Sequence, residues 1–353
     1  MRIALLIAFA AASDLLVGQV ITEPSTPPAN VHSESLVTRG PKTDAAVAVP
    51  ILGYITGANS AELYSIVGTA SKPHLGQMIA LPSGVSRVYL PPRQQYALVV
   101  KNTSDPISLI SLRKASTDTG PQEVELPGAM SGADWIVFST TGNTAVLFSE
   151  AQERLQIFTH LSSQPSFSRE MSTHGKGSPV TAAISDDTDY LVVEFDDRVP
   201  MYSFHGGPLQ YLPSNYRPAD WLFLPKTHNL VITDPERREI VLISDPKESA
   251  GAPQTLATSI AANHLACTRD GEHVLAVSPA EHRLVDIHLA SGTAVKSESA
   301  NIASIAPLRD GYTFLLSSFP SLSLIKLAPS SGEPPSPFSA TQTNSSPDVH
   351  ASH

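Results

Sequence analysis

The chain has one cysteine, Cys267, among 353 residues. A single thiol forms no intrachain disulfide, so the fold must be held by its core. Cys267 ends the apolar run His264-Leu265-Ala266-Cys267 and reads as a small buried hydrophobe. A catalytic thiol needs a base beside it and partial exposure. Strand alternation puts His264, three residues away, on the opposite face. Charged residues are also few, at 16%. No segment carries Glu, Lys and Ala in helical array, which excludes long amphipathic helices. There is no basic run, and the formal net charge is −10. Nucleic acid and anionic membrane are therefore excluded as expected partners, and the acidity serves solubility. Gly-x-Ser-x-Gly, a phosphate-cradling glycine loop and His-Glu-x-x-His are all missing, which removes the usual hydrolase, nucleotide and zinc-protease signatures.

Proline and glycine are plentiful, at 30 and 20 residues, and they punctuate the chain as short strands joined by turns. Met1-Arg2 followed by the apolar run Ile3 to Ala12 predicts a secretory signal peptide over residues 1–19, with an uncleaved N-terminal anchor as the alternative. Residues 20–46 and 330–353 are rich in Pro, Ser, Thr and Asn. They predict a flexible linker and a disordered tail. The expected compartment is outside the cytoplasm, secreted or periplasmic, with no stable membrane insertion once the signal is removed.

Residues 47–329 repeat. Ala133-Asp134-Trp135-Ile136-Val137-Phe138 returns as Ala219-Asp220-Trp221-Leu222-Phe223-Leu224. Each copy opens a module of apolar runs separated by polar turns. Counted from Ala97, Ala145, Leu191, Leu230, Val274 and Phe314, the middle runs lie 48, 46, 39, 44 and 40 residues apart. A period near 40–45 suits the four-stranded blade of a β-propeller. The first run of each module is the most apolar and predicts the innermost strand, beside a central channel. The third run alternates and predicts a half-exposed strand. The fourth, as in Gln122-Glu123-Val124-Glu125-Leu126, carries charges that guard an open edge. Six modules follow. A seventh, N-terminal one is partial: Leu52–Thr56 matches a middle strand, Glu62–Val67 a third and Gln77–Leu81 a fourth. Its inner strand would come from residues 43–49, or the two chain ends would share one sheet. The expected fold is an all-β propeller of seven blades of about 40–48 residues. The alternative is six blades plus an N-terminal hairpin.

The segments Cys267-Thr268-Arg269-Asp270-Gly271-Glu272-His273-Val274-Leu275-Ala276-Val277 and Arg309-Asp310-Gly311-Tyr312-Thr313-Phe314 show an apolar run, an Asp-Gly turn and a second apolar run. In that pattern the chain resembles secreted bacterial β-propeller repeat proteins related to the YVTN and WD40-like repeats, over about residues 47–329. It lacks a Tyr-Val-Thr-Asn tetrapeptide and the Gly-His and Trp-Asp pairs of WD40 units. The resemblance implies the fold and transfers no functional residue, since propellers host many unrelated functions.

Candidate chemistry is sparse. Residues that open inner strands approach one mouth of the channel. Arg87, Asp134, Asp220 and His264, from four modules, are the candidate ligand-binding set. The competing role for the two aspartates is to cap turns or to bond backbone N–H groups between blades, with Trp135 and Trp221 packing between blades. Asp286 and His288 share a strand face, but no metal-ligand spacing joins them to His282. The acidic turn Asp186-Asp187-Thr188-Asp189, with Glu194, Asp196 and Asp197 beyond it, lacks the glycine-spaced loop of a calcium site. It reads as two solvated turns. No metal, cofactor or catalytic residue is assigned. The chain is expected to be a monomeric binding scaffold for an unknown protein or small-molecule ligand. The rivals are a propeller enzyme, lactonase-like or quinoprotein-dehydrogenase-like, and a periplasmic accessory subunit.

Overall fold

The computed structural model describes residues 49–101, 106–113, 121–195, 200–203, 210–211, 216–245, 253–299 and 302–329. All lie in one compact unit, Ala48–His353. The expected signal peptide, linker and tail all fall outside the described residues. Among the described residues no helix is long and apolar enough to cross a membrane.

Every sheet is an antiparallel meander in chain order. The six modules read from the sequence are six sheets, and they form blades of an all-β propeller. Their first strands are Val85–Tyr89, Trp135–Phe138, Pro179–Ile184, Asp220–Phe223, His264–Cys267 and Ala306–Pro307. The first five modules have four strands and the sixth has three. The N-terminal strands Ile51–Thr56, Leu63–Thr69 and Lys72–Met78 form a further three-stranded sheet.

The middle strand of each module is mostly apolar because both of its faces are covered, as in any doubly buried strand. Leu98 and Val100 point into a core shared with Ile136 and Leu147 of the second module. Ala97 and Val99 point the other way, toward Tyr54 and Leu63 of the N-terminal sheet. Val146 and Phe148 meet Ala182 and Leu191, and the pattern passes through the fourth and fifth modules to the sixth. The outermost strands are exposed and polar, as in Glu123–Glu125 and Ser166–Ser172.

The N-terminal sheet departs from the expectation. Ile51–Thr56 is its innermost strand, not its middle one, since Tyr54, Ile55 and Thr56 line the central cavity. Leu63–Thr69 is second, and the segment expected as a fourth strand begins at the end of the third, Lys72–Met78. The reason is crowding. A Cβ at Gly53 would sit 2.8 Å from Leu308 Cδ2, and such close approach belongs to a strand near the axis. The 45-residue spacing to Ala97 thus compared unlike strands. The first and last described strands, Ile51–Thr56 and Leu324–Lys326, do not share a sheet either. They lie in adjacent sheets, joined by a core of Ile55, Ile66, Leu308, Leu315 and Leu322, by stacked Tyr64 and Phe319 rings at 5.0 Å, and by an Arg309 N–H donated to Leu52 O at 3.4 Å.

On its other side the N-terminal sheet is fastened to the first module by one buried amide. Gln94 accepts the Tyr54 N–H at 2.7 Å and donates to the Tyr54 carbonyl at 3.0 Å. The Tyr54 hydroxyl donates to Leu112 O at 3.0 Å. Gln94→Ala leaves both main-chain groups of Tyr54 without these partners inside the protein, and a loss of about 2–3 kcal/mol is expected. Urea unfolding measures it; a loss under roughly 0.5 kcal/mol would show that the amide does not fasten the sheet.

Candidate functional site: the central channel and its two mouths

The inner strands of all seven sheets enclose a cavity of about 850 Å³. Its wall is mostly small and apolar, with Ala182, Ala183, Ile184, Ala266, Val137 and Leu222 among the lining residues. Small side chains are needed where strands converge on an axis. Polar groups are few: Gln94, Thr140, Thr181, Asp220, Ser304 and Ser317 among others. Thr140 Oγ1 donates to the Phe223 carbonyl, linking the second module to the fourth.

At the mouth where inner strands begin, the four sequence-derived candidates fall into two pairs. Arg87 Nη1 and the Tyr89 hydroxyl both donate to the carbonyl oxygen of Asp134. The Asp134 carboxylate accepts the Glu150 N–H at 2.7 Å, so it braces a turn within its own module. Asp220 Oδ1 accepts the Trp221 N–H at 2.8 Å, and Oδ2 accepts the Leu265 N–H at 2.7 Å from the next module. His264 precedes Leu265; it is half-buried, and desolvation lowers its pKa. Of the four, Asp220 alone lines the cavity. No hydrogen bond or ion pair among the described residues joins the Arg87–Asp134 pair to Asp220 and His264. Both aspartates therefore make the structural contacts weighed above, one capping a turn and one tying two blades. The tryptophans pack between modules: Trp135 Nε1 donates to Pro179 O at 3.2 Å, and Trp221 packs with Tyr190 and Val192. Trp221 Nε1 is buried and has no hydrogen-bond partner among the described residues. Cys267 is buried, and desolvation pushes its thiol far up.

At the opposite mouth, where inner strands end, the turns touch in sequence. Gly142 packs on Pro91. The Asp186 carboxylate accepts the Thr141 N–H at 3.0 Å and the Lys226 N–H at 3.3 Å, spanning three modules. Gly271 packs on Pro225, and the Arg269 N–H donates to Gly311 O at 3.0 Å. The acidic turn expected to be merely solvated is thus built into this rim. Asp187 also meets His228 Nε2 at 2.6 Å, with Asp189 at 3.8 Å and Asp245 at 3.8 Å from Nδ1. The potential ligand atoms of Asp187, Asp189 and His228 lie within 4.8 Å of one another. Burial opposes ionisation of Asp187, but hydrogen bonds from Ser185, the Asp189 N–H and His228 outweigh it and leave the carboxyl below its usual value. Asp196 and Asp197 lie outside the described residues. Asp286 does not pair with His288 but with buried His273, whose Nδ1 is 2.9 Å away. No sequence spacing announced these pairs, because their partners come from other strands or modules.

No protein-family model matches the chain, and no curated protein matches it. Solved structures do. A functionally unknown protein from Desulfotomaculum acetoxidans aligns with TM-score 0.53 at 13% identity, over 79% of this chain and 93% of that one. Hydrazine synthase of Kuenenia stuttgartiensis aligns with TM-score 0.49 at 13% identity, over 82% and 99%. The dihydro-heme d1 dehydrogenase NirN gives 0.45 at 16%, over 70% and 54%. At these identities the likeness concerns the propeller fold alone.

Asp220 has a measurable consequence. Burial pushes its carboxyl up from 3.8 to about 6, against the pull of the two backbone N–H groups. The native state therefore holds this proton more tightly than the unfolded chain does. The associated stability, roughly 3 kcal/mol, is present below about pH 4 and lost as pH rises through about 6. Urea unfolding of wild type and Asp220→Asn at about pH 4 and pH 7.5 should show the difference shifting toward the variant by that amount as pH rises. Parallel pH profiles would contradict it.

Proposed function

We propose that this protein is an exported seven-bladed propeller, the N-terminal sheet counting as the seventh blade, that binds a small molecule in its central channel without acting chemically on it. The observation that carries the reading is the channel wall. It encloses enough space for a small organic ligand, and the inner strands of all seven sheets contribute to it. The wall also argues against catalysis. Asp220 is the one carboxylate lining the channel among the described residues, and both its oxygens are engaged by backbone N–H groups. Cys267 is held as the neutral thiol by burial. An enzyme would need acid, base or nucleophile paired there.

The seven-blade count is supported by the shared cores that flank the N-terminal sheet on both sides. Export is supported by the opening Met1-Arg2 and the apolar run that follows. Protein recovered from outside the cytoplasm should begin near residue 20, and an N-terminus still at Met1 would count against cleavage.

A thermal-shift screen of the mature chain against small metabolites tests the binding reading. A ligand at about 100 times its Kd adds roughly 2.7 kcal/mol. Ser304→Trp, which fills the channel from the wall, should abolish the shift while leaving the unliganded melting temperature within a few degrees. A shift that survives this substitution places the ligand elsewhere, and no shift from any compound overturns the reading.

A further inference from the structure

Most arginines in the described residues are engaged. Arg87, Arg113, Arg154, Arg217, Arg237, Arg238 and Arg283 bond oxygens or pair with carboxylates, and Arg169 also has a partner. Arg93, Arg269 and Arg309 are the exceptions. Among the described residues their side chains have no hydrogen bond and no ion pair, in a chain with 33 acidic residues against 23 basic ones. Arg269 and Arg309 hold equivalent positions, directly after the residue whose carbonyl closes the turn, and Arg93 lies one residue further along the corresponding turn. Each lies in the turn that leaves an innermost strand, after Val85–Tyr89, His264–Cys267 and Ala306–Pro307 respectively. The first, fifth and sixth modules, with the N-terminal sheet between the sixth and the first, make one continuous arc of the rim.

The arc borders the channel, although none of the three arginines is itself part of the cavity wall. Pro91, Pro92 and Gln94, which flank Arg93, line the cavity. The Arg309 guanidinium sits 5.9 Å over the Tyr54 ring, which is also part of the wall. Nearby carboxylates are otherwise committed. Asp270 bonds Thr268, the Glu272 N–H and Tyr312, and Asp310 bonds Thr313 and the Tyr312 N–H. Glu62, in the N-terminal sheet's own turn, bonds Tyr64 and Asn59. Arg93 is half-buried; burial and then the like charge of Arg269 lower its pKa, with Asp186 offsetting part of this. Arg93 and Arg269 repel each other, with Asp186 offsetting part of this, and an oxyanion would relieve the repulsion and supply the charge-assisted hydrogen bonds that the guanidiniums lack.

We infer that Arg93, Arg269 and Arg309 form an anion-binding arc at the channel mouth, and that the channel's ligand is an amphipathic organic anion with its carboxylate or phosphate on the arc and its apolar body between the inner strands. This rests on the channel-binding reading above and names its ligand class.

Calorimetric titration of the mature protein with octanoate, octyl phosphate and octanol separates the two claims. Octanoate or octyl phosphate should bind at least tenfold more tightly than octanol. That ratio should fall below threefold in Arg93→Gln/Arg269→Gln, and return when both positions are lysine. Octanol affinity should be unchanged by these substitutions and abolished by Ser304→Trp. The unliganded glutamine variant should melt no lower than wild type, because a repulsion has been removed; this also verifies that it folds. Equal affinity for octanol and the anions overturns the arginine arc and leaves the channel reading standing. Anion binding that persists undiminished in the glutamine variant also overturns the arc. Failure of all three probes overturns both for this ligand class.

Discussion

Each sheet here is apolar on both faces, and no sheet is stable until both faces are covered. That constraint decides most of the structure. It makes the middle strands hydrophobic over most of their length, as at Tyr96 to Val100 and Leu230 to Ile232. It sends successive residues of one strand into different cores, so that Ala97 and Leu98 serve different neighbours. It also forbids an open array, because the first and last sheets would each leave a bare apolar face. The N-terminal sheet covers the sixth module on one side and the first on the other. Closure follows from the same burial that stabilises every other interface.

The channel is the by-product of that closure, and its chemistry reflects what a converging wall tolerates. Many side chains at the axis are small, as at Ala182, Ala183, Ala266 and Ser304, with larger rings such as Phe138 and Trp221 between them. The ionisable groups that remain are either spent on the scaffold, as Asp220 is on two backbone N–H groups, or displaced to the rims. There the division of labour is uneven. Aspartates at the turn mouth stitch neighbouring turns together, while three arginines on one arc are left without carboxylate partners among the described residues. The rim as a whole keeps more acids than bases, but its acids already hold hydrogen bonds while these three guanidiniums still have donors to offer.

Much of this was legible from the residues. The 39–48 residue spacing, the apolar middle runs and the charged outer strands come directly from burial, and burial is written in side-chain type. The roles of Asp134 and Asp220 as turn and blade braces were also within reach, since a residue opening an inner strand faces the neighbouring blade's backbone. The N-terminal sheet was misread by one strand because an apolar run does not reveal how far it lies from the axis. Gly53 was the local signal, a residue chosen for close approach to Leu308. The arginine arc was hidden for a different reason. Arg269-Asp270-Gly271 and Arg309-Asp310-Gly311 look like ordinary turns, and only the folded arrangement shows that their aspartates are satisfied locally while their arginines are not. Likewise, His228 meets Asp187 across modules, a pairing that no spacing along the chain encodes.

The junction between the sixth module and the N-terminal sheet differs from the other joints in the ring. Elsewhere, adjacent sheets are also linked covalently by the chain that runs from one to the next. At this junction the chain does not continue, and among the described residues the sheets are held by a shared core, an aromatic stack, the Arg309–Tyr54 cation–π contact and a long backbone hydrogen bond. The ring therefore behaves as a clasped bracelet rather than a welded hoop. Its clasp is the joint at which no connecting segment limits how far two neighbouring sheets can part.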